Sequence, residues 1–166
     1  MGRERQAAPI SAPEFGRPAV LKDLLILTKP GIIRLNLIAA FGGFWVASKW
    51  DIDWPLLLWM LLGTTLTIAS SCVFNNYLDR DLDTKMERTR NRPLPSGRLS
   101  PALVLAFGIA LGAAGISILF ALVDPLCGWL GLLGMFVYIV VYTIWLKRHS
   151  TWSTSVGGIS GAMPPV

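Results

Sequence analysis

One amide and two carboxylates recur at four-residue intervals in the stretch Asn75-Asn-Tyr-Leu-Asp79-Arg-Asp81-Leu-Asp83. On a helix each four-residue step turns the side chain by only about 40°, so Asn75, Asp79 and Asp83 share a face and Asp81 points away, toward solvent. Two carboxylates one turn apart repel each other unless a positive group lies between them. A hard divalent cation meets that need: Mg2+ is characteristically held by one or two carboxylates, with substrate phosphate oxygens and waters completing its octahedron. Asp79 and Asp83 are therefore the candidate metal ligands. Downstream follow Lys85, Arg88, Arg90 and Arg92, with Arg88 and Arg92 one turn apart if the helix persists. The planar guanidinium offers phosphate bidentate, charge-assisted hydrogen bonds. Carboxylates on one flank and cations on the other describe a diphosphate site. The competing reading is a solvated cap of alternating charges, whose surface ion pairs contribute about 0–1 kcal/mol each. Depth separates the two, because Asn75 and Asp79 adjoin an apolar run and polar groups at membrane depth are costly enough to be functional by default.

The elements that must hold this cluster are set by composition. The chain has 166 residues, 53% hydrophobic and 15% charged, with a mean hydropathy of +0.55. Soluble domains carry about 25% charged residues, and a chain this short has too little interior to hide so much apolar surface. The bilayer is the remaining solvent, so the expected fold is an all-α, polytopic transmembrane helix bundle. Runs of roughly 20 apolar residues per crossing place spans at 31–48, 55–78, 101–123 and 126–146, with a fifth starting near 153. That gives four complete spans and the beginning of another. Residues 1–20 lack an apolar signal-peptide core and are expected to form a flexible cytoplasmic arm. Residues 21–28 suit a short interfacial helix, ended by Pro30. Only Asp124-Pro125 separates the third and fourth spans, which must then pair antiparallel. Gly108 and Gly112 are expected to serve close helix contact, and Cys72 and Cys127 to be small core residues.

Charge placement gives the topology. The net charge of +5 does not point to nucleic acid: with the N-terminus cytoplasmic, every Lys and Arg except Lys49 falls on the inner side, as the positive-inside rule requires. The polar loop at 79–100 then faces the cytoplasm. His149, the one histidine, is expected to be a loop residue, and the tryptophans to mark membrane interfaces.

The run Asn75-x-x-x-Asp79-x-x-x-Asp83, followed by Arg88-Thr-x-x-Arg92-Pro93-Leu94, resembles the first aspartate-rich motif of the UbiA superfamily of intramembrane prenyltransferases. Together with YTIWLKR at 142–148 and GGISGAMPP at 157–165, it is most similar to the branch whose members farnesylate protoheme IX. The resemblance implies a bundle of nine transmembrane helices, with Mg2+ bridging an isoprenyl diphosphate and two Asp-rich motifs, one in each half. By position, Asn75, Asp79 and Asp83 are the implied catalytic residues, Asp79 and Asp83 the metal ligands, and Arg88 and Arg92 the diphosphate clamp. Lys85 and Lys147 are added as diphosphate-binding residues, Lys147 against the alternative of a snorkelling anchor.

The implied activity is transfer of farnesyl from farnesyl diphosphate to a vinyl group of protoheme IX, giving heme O. The implied partners are the two substrates and the lipid bilayer, in a bacterial inner membrane or, alternatively, a mitochondrial one. Residues 21–166 would be the N-terminal half of the transmembrane prenyltransferase domain. No second Asp-rich motif follows Asp124, the last acidic residue, so the chain is expected to be a fragment, inactive alone. Two alternatives stand beside this reading: a UbiA-type prenyltransferase with an aromatic acceptor, such as a hydroxybenzoate or quinone precursor, and a non-enzymatic membrane fragment.

Overall fold

A computed structural model describes residues 17–84, 87, 89 and 91–140. The stretch before Arg17, Lys85, Arg88, the end of the fourth span with Lys147 and His149, and the fifth span lie outside the described residues. Described are five helices: α1 (Arg17–Leu27), α2 (Pro30–Ala47), α3 (Trp54–Asp83), α4 (Pro101–Ile118), continued by a π-helical turn over Leu119–Val123, and α5 (Pro125–Phe136). No strand occurs among the described residues. α2, the α3 segment Trp54–Asp81 and the Pro101–Val123 segment are long and apolar enough to cross a membrane, and Pro125–Val140 forms a shorter apolar helix.

One local device starts three of these helices. Asp53 Oδ1 accepts from Leu56 N at 3.0 Å, Ser100 Oγ from Leu103 N at 3.2 Å, and Asp124 Oδ1 from Leu126 N at 2.7 Å. Each cap satisfies an amide that the first turn leaves without an intrahelical acceptor, and each is followed within two residues by a proline, Pro55, Pro101 or Pro125, tolerated there because its missing N–H would be unsatisfied anyway. α1 begins at Arg17, inside the stretch read as an arm to residue 20, because Val20, Leu24 and Leu27 have a core to pack against. Pro30 ends α1 as expected, yet it also serves as the first residue of α2.

The most extensive packing joins α3 to α4. Ser70 Oγ donates to Gly108 O at 2.7 Å across the pair. At Gly115 the backbones approach closely: a Cβ there would lie 2.8 Å from Thr67 N and 2.9 Å from Gly63 O, so only glycine fits. α4 and α5 fold back on each other through Asp124-Pro125, as the short connection demanded. Gly128 lies under the Phe120 ring, and Phe120 meets Trp129 edge-on at 5.5 Å. α2 packs on the first half of α3 through Ala40, Leu57 and Met60, leaving Leu35, Ile38 and Val46 outward. Large apolar side chains facing out on spanning helices are what a lipid solvent permits.

Candidate active site

α3 has 30 residues, about 45 Å of helix at 1.5 Å per residue, against a hydrocarbon core about 30 Å thick. Trp54–Phe74 is already enough to cross. The remaining turns, Asn75–Asp83, carry the polar face at one end of the same helix, continuous with the apolar run. Asn75, Asp79 and Asp83 are 3%, 2% and 5% exposed, whereas the Asp81 side chain is 85% exposed. The helix period thus brings the amide and both carboxylates to one sheltered side.

The shelter comes from α1 and from the segment after α3. Leu27 of α1, Val73 of α3, Leu94, Leu99 and Val104 form one apolar cluster, with Tyr77 packed against it. The polar loop after α3 is pinned down by its leucines and by buried Pro93. Arg98 Nε lies 3.5 Å from Asp23 Oδ2, tying the same loop to α1.

Buried carboxylates need compensation, and the structure supplies cations at both ends of the face. Arg92 Nη1 donates to Asp83 Oδ2 at 2.8 Å, and Lys29 Nζ donates to Asn75 Oδ1 at 2.8 Å. Neighbouring Asn76 is equally buried. Its Nδ2 donates to Leu27 O at 3.0 Å and to Cys72 O at 2.9 Å, and its Oδ1 accepts from Arg92 Nη1 at 3.5 Å. With both amide protons taken by carbonyls, the Asn76 oxygen has to face the guanidinium.

A helical Arg88/Arg92 pair requires α3 to continue, but α3 stops at Asp83, where Thr89 Oγ1 donates to Asp83 O at 3.0 Å. Arg92 N donates to Thr89 O at 3.0 Å in a turn, and Pro93 disfavours right-handed helix at the residue before it. The turn folds Arg92 back onto Asp83, which brings the guanidinium to the carboxylate face by another route. Of the residues singled out in the sequence, Asn75, Asp79, Asp83 and Arg92 are brought together; Lys85, Arg88 and Lys147 lie outside the described residues.

The chain matches the UbiA prenyltransferase family over residues 36–166. It belongs to this family. Protoheme IX farnesyltransferases of Klebsiella pneumoniae and of two Escherichia coli strains are each 52% identical to this UbiA family chain over 147 residues, 89% of its length and 50% of theirs. The chain spans about half the length of the curated relatives it matches. No solved structure matches it. Its apolar spanning helices and its family make it an integral membrane protein.

The donor set fits Mg2+ in a particular way. Among the described residues no three His, Cys, Asp or Glu side chains gather to enclose a metal. What the UbiA family chain presents is hard oxygen donors only, two carboxylates and one amide along a single face. That is too few for an all-protein cage and suits an ion that completes its shell with phosphate oxygens and water. Sequence reasoning missed Lys29 and Asn76. Asn76 was legible as a second amide where the apolar run ends; Lys29 carried only its place before Pro30.

Proposed function

We propose that this UbiA family chain supplies the diphosphate-binding face of a Mg2+-dependent farnesyltransferase that joins farnesyl to a vinyl group of protoheme IX, yielding heme O. The observation that carries the donor end is the buried face of Asn75, Asp79 and Asp83, held with Arg92 at the mouth of a spanning helix. The 52% identity to protoheme IX farnesyltransferases supports heme over an aromatic acceptor. We place the N-terminus and the 79–100 loop on the cytoplasmic side of a bacterial inner membrane, in keeping with the distribution of Lys and Arg.

In this reading Asp79 and Asp83 hold the metal, with Asn75 as an oxygen donor at the deep end of the face. Bound Mg2+ would supply Lewis-acid neutralisation of the charge that develops on the leaving diphosphate. Arg92 acts beside it: its fork, oriented by Asp83 and Asn76, offers fixed hydrogen-bond donors where negative charge grows as the allylic C1–O bond breaks. Lys85, Arg88 and Lys147 are proposed as further diphosphate ligands from their sequence positions. The vinyl carbon of the porphyrin takes the electron-poor C1, and water adds to the resulting porphyrin-side cation and gives up one proton to the released diphosphate or solvent. The bond formed at C1 thus replaces the bond to diphosphate, and the water oxygen becomes the hydroxyl of the hydroxyethylfarnesyl group. Apolar helix walls keep bulk water from C1 before transfer.

The test uses the full-length membrane protein with farnesyl diphosphate and protoheme IX. Asp79→Ala and Asp83→Ala should each abolish heme O formation, and chelation should abolish it in the wild type until Mg2+ is restored, with all proteins present in the membrane at equal amounts. Near-normal turnover in either variant would remove the carboxylate face from the mechanism.

A further inference from the structure

Lys29 stands between α1 and α2 in a left-handed backbone conformation, φ 52° and ψ 69°. That region costs a residue with a Cβ about 1–2 kcal/mol, and the residue before a proline is also kept out of the right-handed helix. Such strain persists only where the surroundings fix it. They do so here: Lys29 N donates to Ile26 O at 3.2 Å, Ile32 N donates to Lys29 O at 2.9 Å, and Asn76 Nδ2 holds Leu27 O at 3.0 Å. A glycine or asparagine would satisfy this turn with less strain. The side chain is therefore what distinguishes lysine at this position, and it reaches Asn75 Oδ1 at 2.8 Å, a separation of 46 residues in sequence.

The placement is informative. Asn75 and Asp83 mark the two ends of the polar face, about 12 Å apart along the helix. Arg92 reaches the Asp83 end and Lys29 the Asn75 end, so two cations from different segments bracket the Asp79 carboxylate. An ammonium carries three donors and serves more than one acceptor at once. It is also a compact charge suited to a phosphate oxygen, in contrast to the fork of Arg92.

We propose that Lys29 is a binding residue for the diphosphate of the donor substrate, its ammonium held against Asn75 by the left-handed α1–α2 junction so that it meets a phosphate oxygen at the end of the face opposite Arg92. The inference rests on the diphosphate reading of that face and adds to it a ligand from outside the aspartate-rich motif and its following loop.

The strain itself provides the test. Lys29→Gly eases the backbone but takes a donor from the buried Asn75 Oδ1, so its melting temperature is measured beside the wild type's to separate folding from binding. Lys29→Asn also tolerates the turn and serves if the glycine variant is poorly produced. Full-length protein in lipid nanodiscs is titrated with inorganic pyrophosphate and Mg2+ by calorimetry, and KM and kcat for farnesyl diphosphate are measured alongside. Loss of one charged hydrogen bond predicts a pyrophosphate Kd weakened about ten- to hundredfold in Lys29→Gly, a comparable rise in KM, and recovery of most of the affinity in Lys29→Arg. Wild-type pyrophosphate affinity in Lys29→Gly overturns the inference and leaves the carboxylate face intact. An equal loss in Lys29→Gly and Lys29→Arg, with lowered melting temperatures, makes Lys29 a structural residue and also overturns it. A wild-type protein that binds no pyrophosphate overturns the diphosphate reading and this inference together.

Discussion

Individual side chains at the mouth of α3 balance charge within a buried setting. Asp83 and Arg92 meet at 2.8 Å, with Asp83 nearly enclosed and Arg92 a third exposed. Arg92 therefore has one edge committed to protein while the rest of its side chain stays partly exposed. Arg92→Lys keeps the charge and loses the fork, so KM for farnesyl diphosphate is expected to rise about tenfold with a smaller change in kcat, since an ammonium cannot reproduce the two parallel N–H···O bonds of a guanidinium. An unchanged KM in steady-state assays of the full-length protein would count against the clamp. At this scale the sequence was legible where period alone decides. The 3.6-residue repeat put Asn75, Asp79 and Asp83 together and Asp81 outside. It was silent on Lys29, whose place depends on how the backbone turns before Pro30.

At the level of elements, the site depends on α3 being held rigidly by α4. Gly115 allows the two backbones to touch near Thr67 and Gly63. Gly115→Val must force them apart, and overpacking of this kind typically costs about 1–3 kcal/mol. The expected outcome is a lower melting temperature in detergent by fluorescence-detected size exclusion. Gly42→Ala, where an added Cβ meets nothing within 4 Å, should leave it unchanged or raise it. Equal melting of Gly115→Val and wild type would mean that the close approach does not hold the pair. The break at Asp124-Pro125 was readable in sequence, and span positions from hydropathy. The docking of Leu94 and Leu99 beneath α1 was not, because it is a tertiary contact within a stretch whose composition looks like a loop.

For the molecule as a whole, membrane orientation and the shared site belong together. The Lys49 turn precedes α3 and the 91–100 segment follows it, so a spanning α3 puts them on opposite sides. In a background with Cys72 and Cys127 replaced by Ala, Ser96→Cys should react with an impermeant maleimide only from the cytoplasmic face, and Lys49→Cys only from the other. Labelling of both from one side would contradict the topology. Family membership explains why so short a chain carries so specific a cluster. On the proposed reading, two carboxylates and an amide are too few donors to enclose a metal by themselves, so metal and diphosphate are expected to bind interdependently. Equilibrium binding of farnesyl diphosphate to the full-length protein, with and without Mg2+, in wild type and Asp79→Asn, tests this directly. The account predicts Mg2+-dependent binding in the wild type and at least tenfold weaker binding in Asp79→Asn, with the Mg2+ dependence reduced. Binding that ignores Mg2+, or that Asp79→Asn leaves untouched, would contradict it.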